Sequence, residues 1–408
     1  MNNKQTKSWG NLNIVNNSSY KLFTNKTNYL DIGNLNSYGD CCLPLQKVSK
    51  IDKNQLVNET VFNYQIKKGS YLYGTPGKSD VTIGGAIASD THGKDNTWGG
   101  SFNRNVKKIF LSIDGDEIET SREKESDLFN ATIGGYGLTG SIVNVELFKS
   151  DISISNTYKT IVETGFGIDN LLNSFKTLEK EFWVGWIDLL DKKFPWVSKK
   201  SIPDKKPFKD IKPKKEYESK ISFPFIGKNK LRSLEVINKI YFQTNKMLKV
   251  NHYDFYKTLF PLSFTTDTRN LSKKRKIIQV QFSIPSKKAH LLELLILKLI
   301  SNQTPLLCSI KRLSNPASLN NLSFHQEGWT VAVDFPYHEF NTAEIEKFYQ
   351  ELIKNNCKIY LAKDYTLDEK NFKLMYPEFI EWEKIVKSVD PKNLYQSSLS
   401  RRLGLKEW

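Results

Sequence analysis

The stretch VTIGGAIASDTHGKDNTWGGSF, residues 81–102, decides how the chain is read. Seven of its residues are Gly or Ala, and they surround a single His, His92, and a single Lys, Lys94. Glycine backbone lets amide N–H groups come close to an anion, as a phosphate cradle requires, and a His held there can orient a bound group or exchange a proton with it. The same composition fits tight turns in a β-rich region, and the residues alone leave both readings open. No GxGxxG follows a strand and opens a helix, so a dinucleotide domain of the Rossmann type is disfavoured.

Three more glycine clusters flank this stretch: Gly33 with Ser37-Tyr38-Gly39-Asp40, then Gly74-Thr75-Pro76-Gly77, and Gly134 to Gly140 in GGYGLTG. So many turn glycines in one third of the chain exceed what a simple sandwich needs and favour a large ligand threaded along backbone. The apolar runs between them, such as Val81-Thr82-Ile83 and KIFLSI at 108–113, predict short strands rather than long helices. Asp114-Gly115-Asp116 between two such runs predicts a hairpin turn.

Beyond residue 151 the character changes. The segment 199–220 holds nine Lys and three Pro against four acids, and reads either as a basic loop that meets an anionic surface or as a solvated insertion. Lys273-Lys274-Arg275-Lys276 reads as a charged turn before the strand IIQVQFSI. Helices are expected at 286–301 and 343–356, each between strand-like runs: IIQVQFSI and LLCSIKRL around the first, TVAVDF and KIYLAKD around the second. Two such units predict an α+β region with helices on one face of a sheet. The segment 375–408 is helix-rich, with Val389-Asp390-Pro391 as a helix stop.

The chain has 408 residues, 39% of them hydrophobic, which excludes a disordered chain. Its formal charge of +16 admits an anionic partner without naming one. Cys41, Cys42, Cys308 and Cys357 form no CxxC pair, and His252, His290, His325 and His338 are scattered, so no metal site is expected. LLELLILKLI at 291–300 is too short to span a bilayer and the first residues carry no apolar signal core, so a cytoplasmic protein is expected, with peripheral membrane contact open. No nucleic-acid-binding motif accompanies the charge, and no nucleic acid is expected.

Taken together, SYGD at 37–40, GTPG at 74–77, GGAIASDTHGK at 84–94, ATIGGYGLTG at 131–140, YLAKD at 360–364 and VDPKNLYQSSLSRRLGL at 389–405 resemble the vanillyl-alcohol-oxidase superfamily of flavoenzymes, whose FAD-binding domain is of the PCMH type. The resemblance runs in order over nearly the whole chain. It implies an α+β protein with a two-lobed FAD-binding domain from residues 1–152 and 359–408, enclosing a substrate or cap domain, 153–358, with an antiparallel sheet. It implies FAD contacts at residues 34–40, including Ser37, Tyr38, Gly39 and Asp40, then Gly77, Thr82, Ile83, Gly84, Gly85, Ser89, Asp90, Thr91, His92, Ile142 and Tyr360. Members with covalent flavin often carry a His before the first motif's Ser; Asn36 stands there, so noncovalent FAD is expected.

The activity implied is oxidation of a secondary sugar hydroxyl, on a polyprenyl-phosphate-linked pentose, as half of an epimerisation completed by an NAD(P)H-dependent reductase. His92 is the expected acid–base group, Lys363 the cation that stabilises developing negative charge, and Tyr360 a packing partner of flavin and substrate. Lys311 and Lys94 are expected substrate contacts, with Gln279 and Gln281 alternating on one strand face, Trp186 and Asp188, and Thr330 and Asp334 on WTVAVDFP; Asp334 is expected to orient Lys311. Ala332 stands where a relative has a pocket cysteine. The competing reading is a catalytically silent binding protein on the same fold, or a related alditol or aldonolactone oxidase.

Overall fold

The computed structural model describes residues 8, 29–31, 33–44, 47–49, 55–175, 181–204, 230–261, 276–314 and 321–406. Most of the basic segment (205–220) and residues 273–275 of the second basic run lie outside the described residues.

Strands β1 (Tyr29–Asp31) and β2 (Lys47–Ser49) pair in parallel. Helix α1 (Val61–Lys68) starts at Thr60, whose hydroxyl accepts from Asn63 N, and stops at Gly69 in the left-handed region. Val81-Thr82-Ile83 does not extend into the expected strand. Thr82 makes one isolated bridge to Thr60, and its hydroxyl then accepts from Gly85 N at 3.1 Å and opens helix α2 (Ile83–Ala88). Two glycines weaken such a helix by about 1 kcal/mol each, and burial of Ile83, Ala86 and Ile87 offsets that.

After α3 (Asn96–Gly99) come β3 (Val106–Ile113) and β4 (Asp116–Ser121), joined by the expected hairpin turn; Asp114 and Gly115 both have positive φ, as a type I′ turn requires. Helix α4 (Ser126–Thr132) leads to β5 (Ser141–Leu147), and the order β4-β3-β5 completes an antiparallel sheet. Its core takes Ile109, Leu111 and Phe129 together with Leu394 and Tyr395 of the C-terminal segment.

The larger sheet is built from β6 (Thr157–Phe166), followed by α5 (Ile168–Ser174), then β7 (Phe182–Ile187), β8 (Pro195–Pro203), α6 (Lys230–Met247), β9 (Val250–Asp254) and α7 (Phe255–Leu259). It continues through β10 (Ile277–Pro285), a 3₁₀ turn (Ser286–Leu291), α8 (Leu292–Leu299), β11 (Leu307–Leu313), β12 (Gly328–Pro336), α9 (Thr342–Lys354) and β13 (Lys358–Ile359). The strand order is β13-β10-β12-β11-β7-β8-β6-β9, with every pairing antiparallel, so the protein is α+β.

Pleating gives this sheet two chemistries. Ile278, Val280, Phe282 and Ile284 of β10 and Trp329, Val331, Val333 and Phe335 of β12 join one core with α8 and α9, where Phe282 meets Phe348 edge-on at 5.4 Å. The intervening Gln279, Gln281, Thr330 and Asp334 are buried on the opposite face.

KIYLAKD keeps only two residues in the sheet. After Tyr360 N bonds Gln281 O at 2.8 Å, the amides of Lys363 and Asp364 both turn back to Tyr360 O, which ends the expected strand. Helices α10 (Glu369–Met375), α11 (Phe379–Val389) and α12 (Ser398–Arg402) follow, and α11 stops at Asp390 as expected before Pro391. This segment returns to the first third of the chain: Trp382 Nε1 donates to Ala131 O at 3.0 Å, and Tyr395 OH to Ser112 O at 2.9 Å. No helix among the described residues is long and apolar enough to cross a membrane.

Candidate active site

A cavity of about 310 Å³ lies between the polar face of the large sheet and the glycine-rich segments around α2. From the first third of the chain it is lined by Asn34, Ser37, Tyr38, Gly77, Thr82, Gly84, Gly85, Ser89, Thr91, His92, Lys94 and Ile142. From the sheet and its exit come Gln279, Gln281, Lys311, Thr330, Ala332, Tyr360 and Lys363. Residues scattered over more than 300 positions are thus brought to one chamber.

The remaining expected residues lie outside it. Ile83 is packed in the core, and Asp90 Oδ1 accepts from Asn103 N at 3.1 Å. Gly39 and Asp40 join the two ends of the chain: a Cβ on Gly39 would stand 1.8 Å from Asp364 O, and Asp40 accepts from Arg402 Nε and Nη2 at 2.9 and 2.8 Å. Trp186 is covered by Tyr241 of α6, ring centres 4.8 Å apart, and Asp188 accepts from Asn238 at 2.7 Å. Neither lines the cavity.

His92 is buried and its Nε2 lies 2.8 Å from Gln281 Nε2. With the amide donating, His92 Nε2 accepts and the ring hydrogen sits on Nδ1, which is buried and has no hydrogen-bond partner among the described residues. Burial, then the nearby Lys311, His325 and Lys363, holds the ring well below its ordinary pKa, so it is neutral. The same Gln281 amide donates to Thr330 Oγ1 at 3.0 Å, so one nitrogen spans two acceptors. Tyr360 packs edge-on against His92 at 5.0 Å and donates its hydroxyl to Ser89 O at 2.8 Å.

Four lysines, Lys78, Lys94, Lys311 and Lys363, line the cavity among the described residues, against one carboxylate, Asp31. Burial, and after it mutual repulsion, pushes Lys94 down to about 7; Lys363 also falls to about 7, through burial and Lys311 against the pull of Asp334. Lys311 falls to about 8, burial outweighing Asp95. Lys94 donates to Thr258 O, and the Lys363 ammonium sits 4.1 Å above the Tyr38 ring.

Asp334 does not hold Lys311 as expected. In the β11–β12 register Lys311 faces Thr330 and Asp334 faces Leu307, four residues further along, which separates them by roughly 13 Å of strand. Asp334 instead accepts from Gln279 at 2.5 Å, and burial raises its carboxyl to about 6 while Lys363 opposes the rise. The carboxylate that acts on Lys311 is Asp95, itself raised to about 6 by burial.

Sequence reading missed Lys78, Cys41, Cys42, Tyr136 and Pro261, which also line the cavity. Lys78 had one signal, its place directly after Gly77; a lone lysine is otherwise expected in solvent.

Fold and cavity define the class: an α+β protein whose N-terminal glycine-rich segments and antiparallel sheet enclose a buried cationic chamber. Over 350 residues the chain is 27% identical to decaprenylphosphoryl-β-D-ribose oxidase of Mycolicibacterium smegmatis, covering 81% of this chain and 75% of that protein, and it is close to that enzyme. An uncharacterized protein encoded in the mprA 5′ region of Streptomyces coelicolor is 37% identical over 81 residues, 20% of this chain and 22% of that one. No family model matches the chain.

Proposed function

We propose that the protein is an FAD-dependent oxidoreductase that oxidises a secondary hydroxyl of a pentose carried on polyprenyl phosphate. The observation that carries this reading is the cavity's charge: four lysines, one buried and three half-buried, and one carboxylate fit a doubly anionic cofactor and a phosphorylated substrate, in a chain close to an oxidase named for such a sugar. Two buried donors of cavity-lining residues, His92 Nδ1 and Asn36 Nδ2, have no hydrogen-bond partner among the described residues. The residues therefore fit FAD. Asn36, Ser37, Gly77, Thr82, Gly84 and Gly85 would hold it, and Tyr360 and His92 would flank its reactive end. The Cys41 thiol is raised to about 12 by burial, a poor nucleophile, which with Asn36 before Ser37 supports noncovalent attachment.

Bound FAD supplies a two-electron acceptor for the hydride that leaves the carbinol carbon. His92 Nε2 takes the hydroxyl proton once the Gln281 amide turns wholly to Thr330 Oγ1, which it already contacts. Lys363 provides positive charge where negative charge develops, and an anion beside it restores its protonation. Lys311 and Lys94 orient the sugar's oxygens, and Asp334 fixes Gln279 on the same sheet face. On this reading residues 1–152 and 359–408 bind the cofactor and 153–358 the substrate. The oxidised sugar is then a substrate for an NAD(P)H-dependent reductase.

A lipid carrier calls for a surface that meets a membrane peripherally. Helix α6 presents Val236, Ile240 and Met247, 55%, 61% and 82% exposed, beside the exposed Lys239, Lys246 and Lys249. This patch supports the carrier assignment. The test is flavin analysis of purified protein, then anaerobic reduction by polyprenyl-phosphate ribose. Bleaching of the flavin band is expected; a protein that stays colourless after FAD is added sinks the proposal and favours a silent binding protein.

A further inference from the structure

His325 is buried beside His92 and does not line the cavity. Its backbone is pinned just before β12: Ser283 Oγ donates to Phe324 O at 3.2 Å, Gln326 Nε2 to Ser283 Oγ at 2.8 Å, and His325 N to Ser323 Oγ at 3.1 Å. The ring reaches across to the glycine-rich segment, where Nε2 lies 3.2 Å from the carbonyl oxygen of Asp90, two residues before His92. A carbonyl oxygen only accepts, so Nε2 carries the hydrogen and the neutral ring leaves Nδ1 as an acceptor. His92 has the opposite arrangement. Its Nε2 accepts from Gln281, and its Nδ1 hydrogen is buried with no hydrogen-bond partner among the described residues. The two ring centres are 5.5 Å apart, with the planes at 78°. Tyr360, also packed edge-on against His92, has its hydroxyl committed to Ser89 O. A bare ring nitrogen thus belongs to the neighbour of a ring whose hydrogen lacks an acceptor.

We propose that His325 is the second imidazole of a proton relay, taking from His92 Nδ1 a proton when His92 Nε2 gains one from the substrate hydroxyl. The proposal rests on the reading of His92 as the proton acceptor. As the carbinol O–H bond breaks, an N–H bond forms at His92 Nε2; the Nδ1–H bond then breaks and an N–H bond forms at His325 Nδ1. His92 is again neutral, and the charge rests on His325, whose bond to Asp90 O becomes charge-assisted. When the product leaves, water takes the Nε2 proton and His325 returns its own to Nδ1, which restores both rings. His92 needs this help because burial, then Lys311, His325 and Lys363, makes it a weak base; an acceptor at Nδ1 strengthens it as the proton arrives. No hydrogen bond joins the rings while both are neutral, and catalytic hydrogen bonds of this kind tighten as charge develops.

The test is anaerobic stopped-flow reduction of the full-length, FAD-loaded protein by polyprenyl-phosphate ribose, run in mixtures of H₂O and D₂O. His325→Gln keeps an N–H for Asp90 O but cannot take a proton, and His325→Phe keeps neither. Both are expected to slow flavin reduction by about 10- to 100-fold, the value of one hydrogen bond to a charged group, with flavin content unchanged. In the wild type the rate is expected to fall along a curve as the deuterium fraction rises, because two hydrogens move, and in His325→Gln along a straight line, because one does. A wild-type rate in His325→Gln means that the ring only fastens the two segments together, and overturns the relay. A straight line in the wild type overturns it as well, and decides the matter even if neither variant folds. Both results leave His92 as the base. A His92→Gln variant reduced as fast as the wild type overturns that assignment and the relay with it.

Discussion

The side chains of Arg402 and Lys406, 9% and 0% exposed, and those of Lys311 and Lys363, half-buried at the cavity, are held in opposite ways. Arg402 donates to Asp40 through two nitrogens and to Asp364 at 2.7 Å, with Leu367 O as a further acceptor; Lys406 donates to Leu138 O, Tyr395 O and Asp390 Oδ2 at 2.9, 2.9 and 2.5 Å. Each C-terminal cation thus has its donors matched. In the cavity, Lys311 and Lys363 have no side-chain hydrogen bond to a carboxylate among the described residues, and their protonation is suppressed. Matched burial holds an architecture together; unmatched burial costs stability and is retained where a ligand will complete it.

The sharpest way to break this contrast is to remove one cation from each side. Arg402→Ala leaves Asp40 and Asp364 buried without a counter-ion and is expected to cost about 3–5 kcal/mol in denaturant unfolding. Should it cost nothing, the junction is not structural. Lys363→Met is expected to slow flavin reduction by about 10²- to 10³-fold in anaerobic stopped-flow, and at the same time to raise the denaturation midpoint of the ligand-free chain. A variant with normal reduction rate, or one that melts lower than wild type, would reverse the contrast.

Acidity gives a milder test. Lys94 and Lys363 at about 7 and Lys311 at about 8 lie below the unfolded value, so between pH 7 and 9 the unfolded ligand-free chain binds more protons than the folded one. For these groups stability therefore rises with pH. Anion binding raises their pKa values, takes up protons, and so weakens as pH rises through the bound values, by up to about 10-fold per unit for each proton. FAD titration at pH 6.5 and pH 9 checks this, and equal affinities would remove the cavity lysines from cofactor binding. The smallest effect is expected at the surface. Replacing Ile240 and Met247 with Asp should reduce cosedimentation with anionic vesicles by a few-fold and leave flavin content unchanged.

How legible the molecule was depends on the range of the signal. Gln279 and Gln281 could be assigned to one strand face because alternation is local, and the Asp114-Gly115 turn because its residues specify their own backbone. Thr82 misled because a β-branched triplet reads as strand, while its hydroxyl was needed as a helix cap. That Asp334 stands too far along β12 to orient Lys311 depends on cross-strand register, which no single strand carries. Trp186 was read as a pocket residue because nothing in β7 reveals that α6 will cover it. Most of the cavity residues were reached through motif resemblance. Lys78 escaped because one of its partners, Asn36, lies 42 positions away.

The approach of Gly39 to the Asp364 carbonyl has a consequence in the order of synthesis. The glycine-rich motifs leave the ribosome early, but the residues that lock them, Asp364 and Arg402, follow more than 300 positions later. At ordinary translation rates that interval is roughly 20 to 70 s. During it the nascent chain exposes glycine-rich backbone with no completed chamber to bind a ligand, so loss of the Ser398–Arg402 turn would be felt first at the distant Gly39-Asp40 motif.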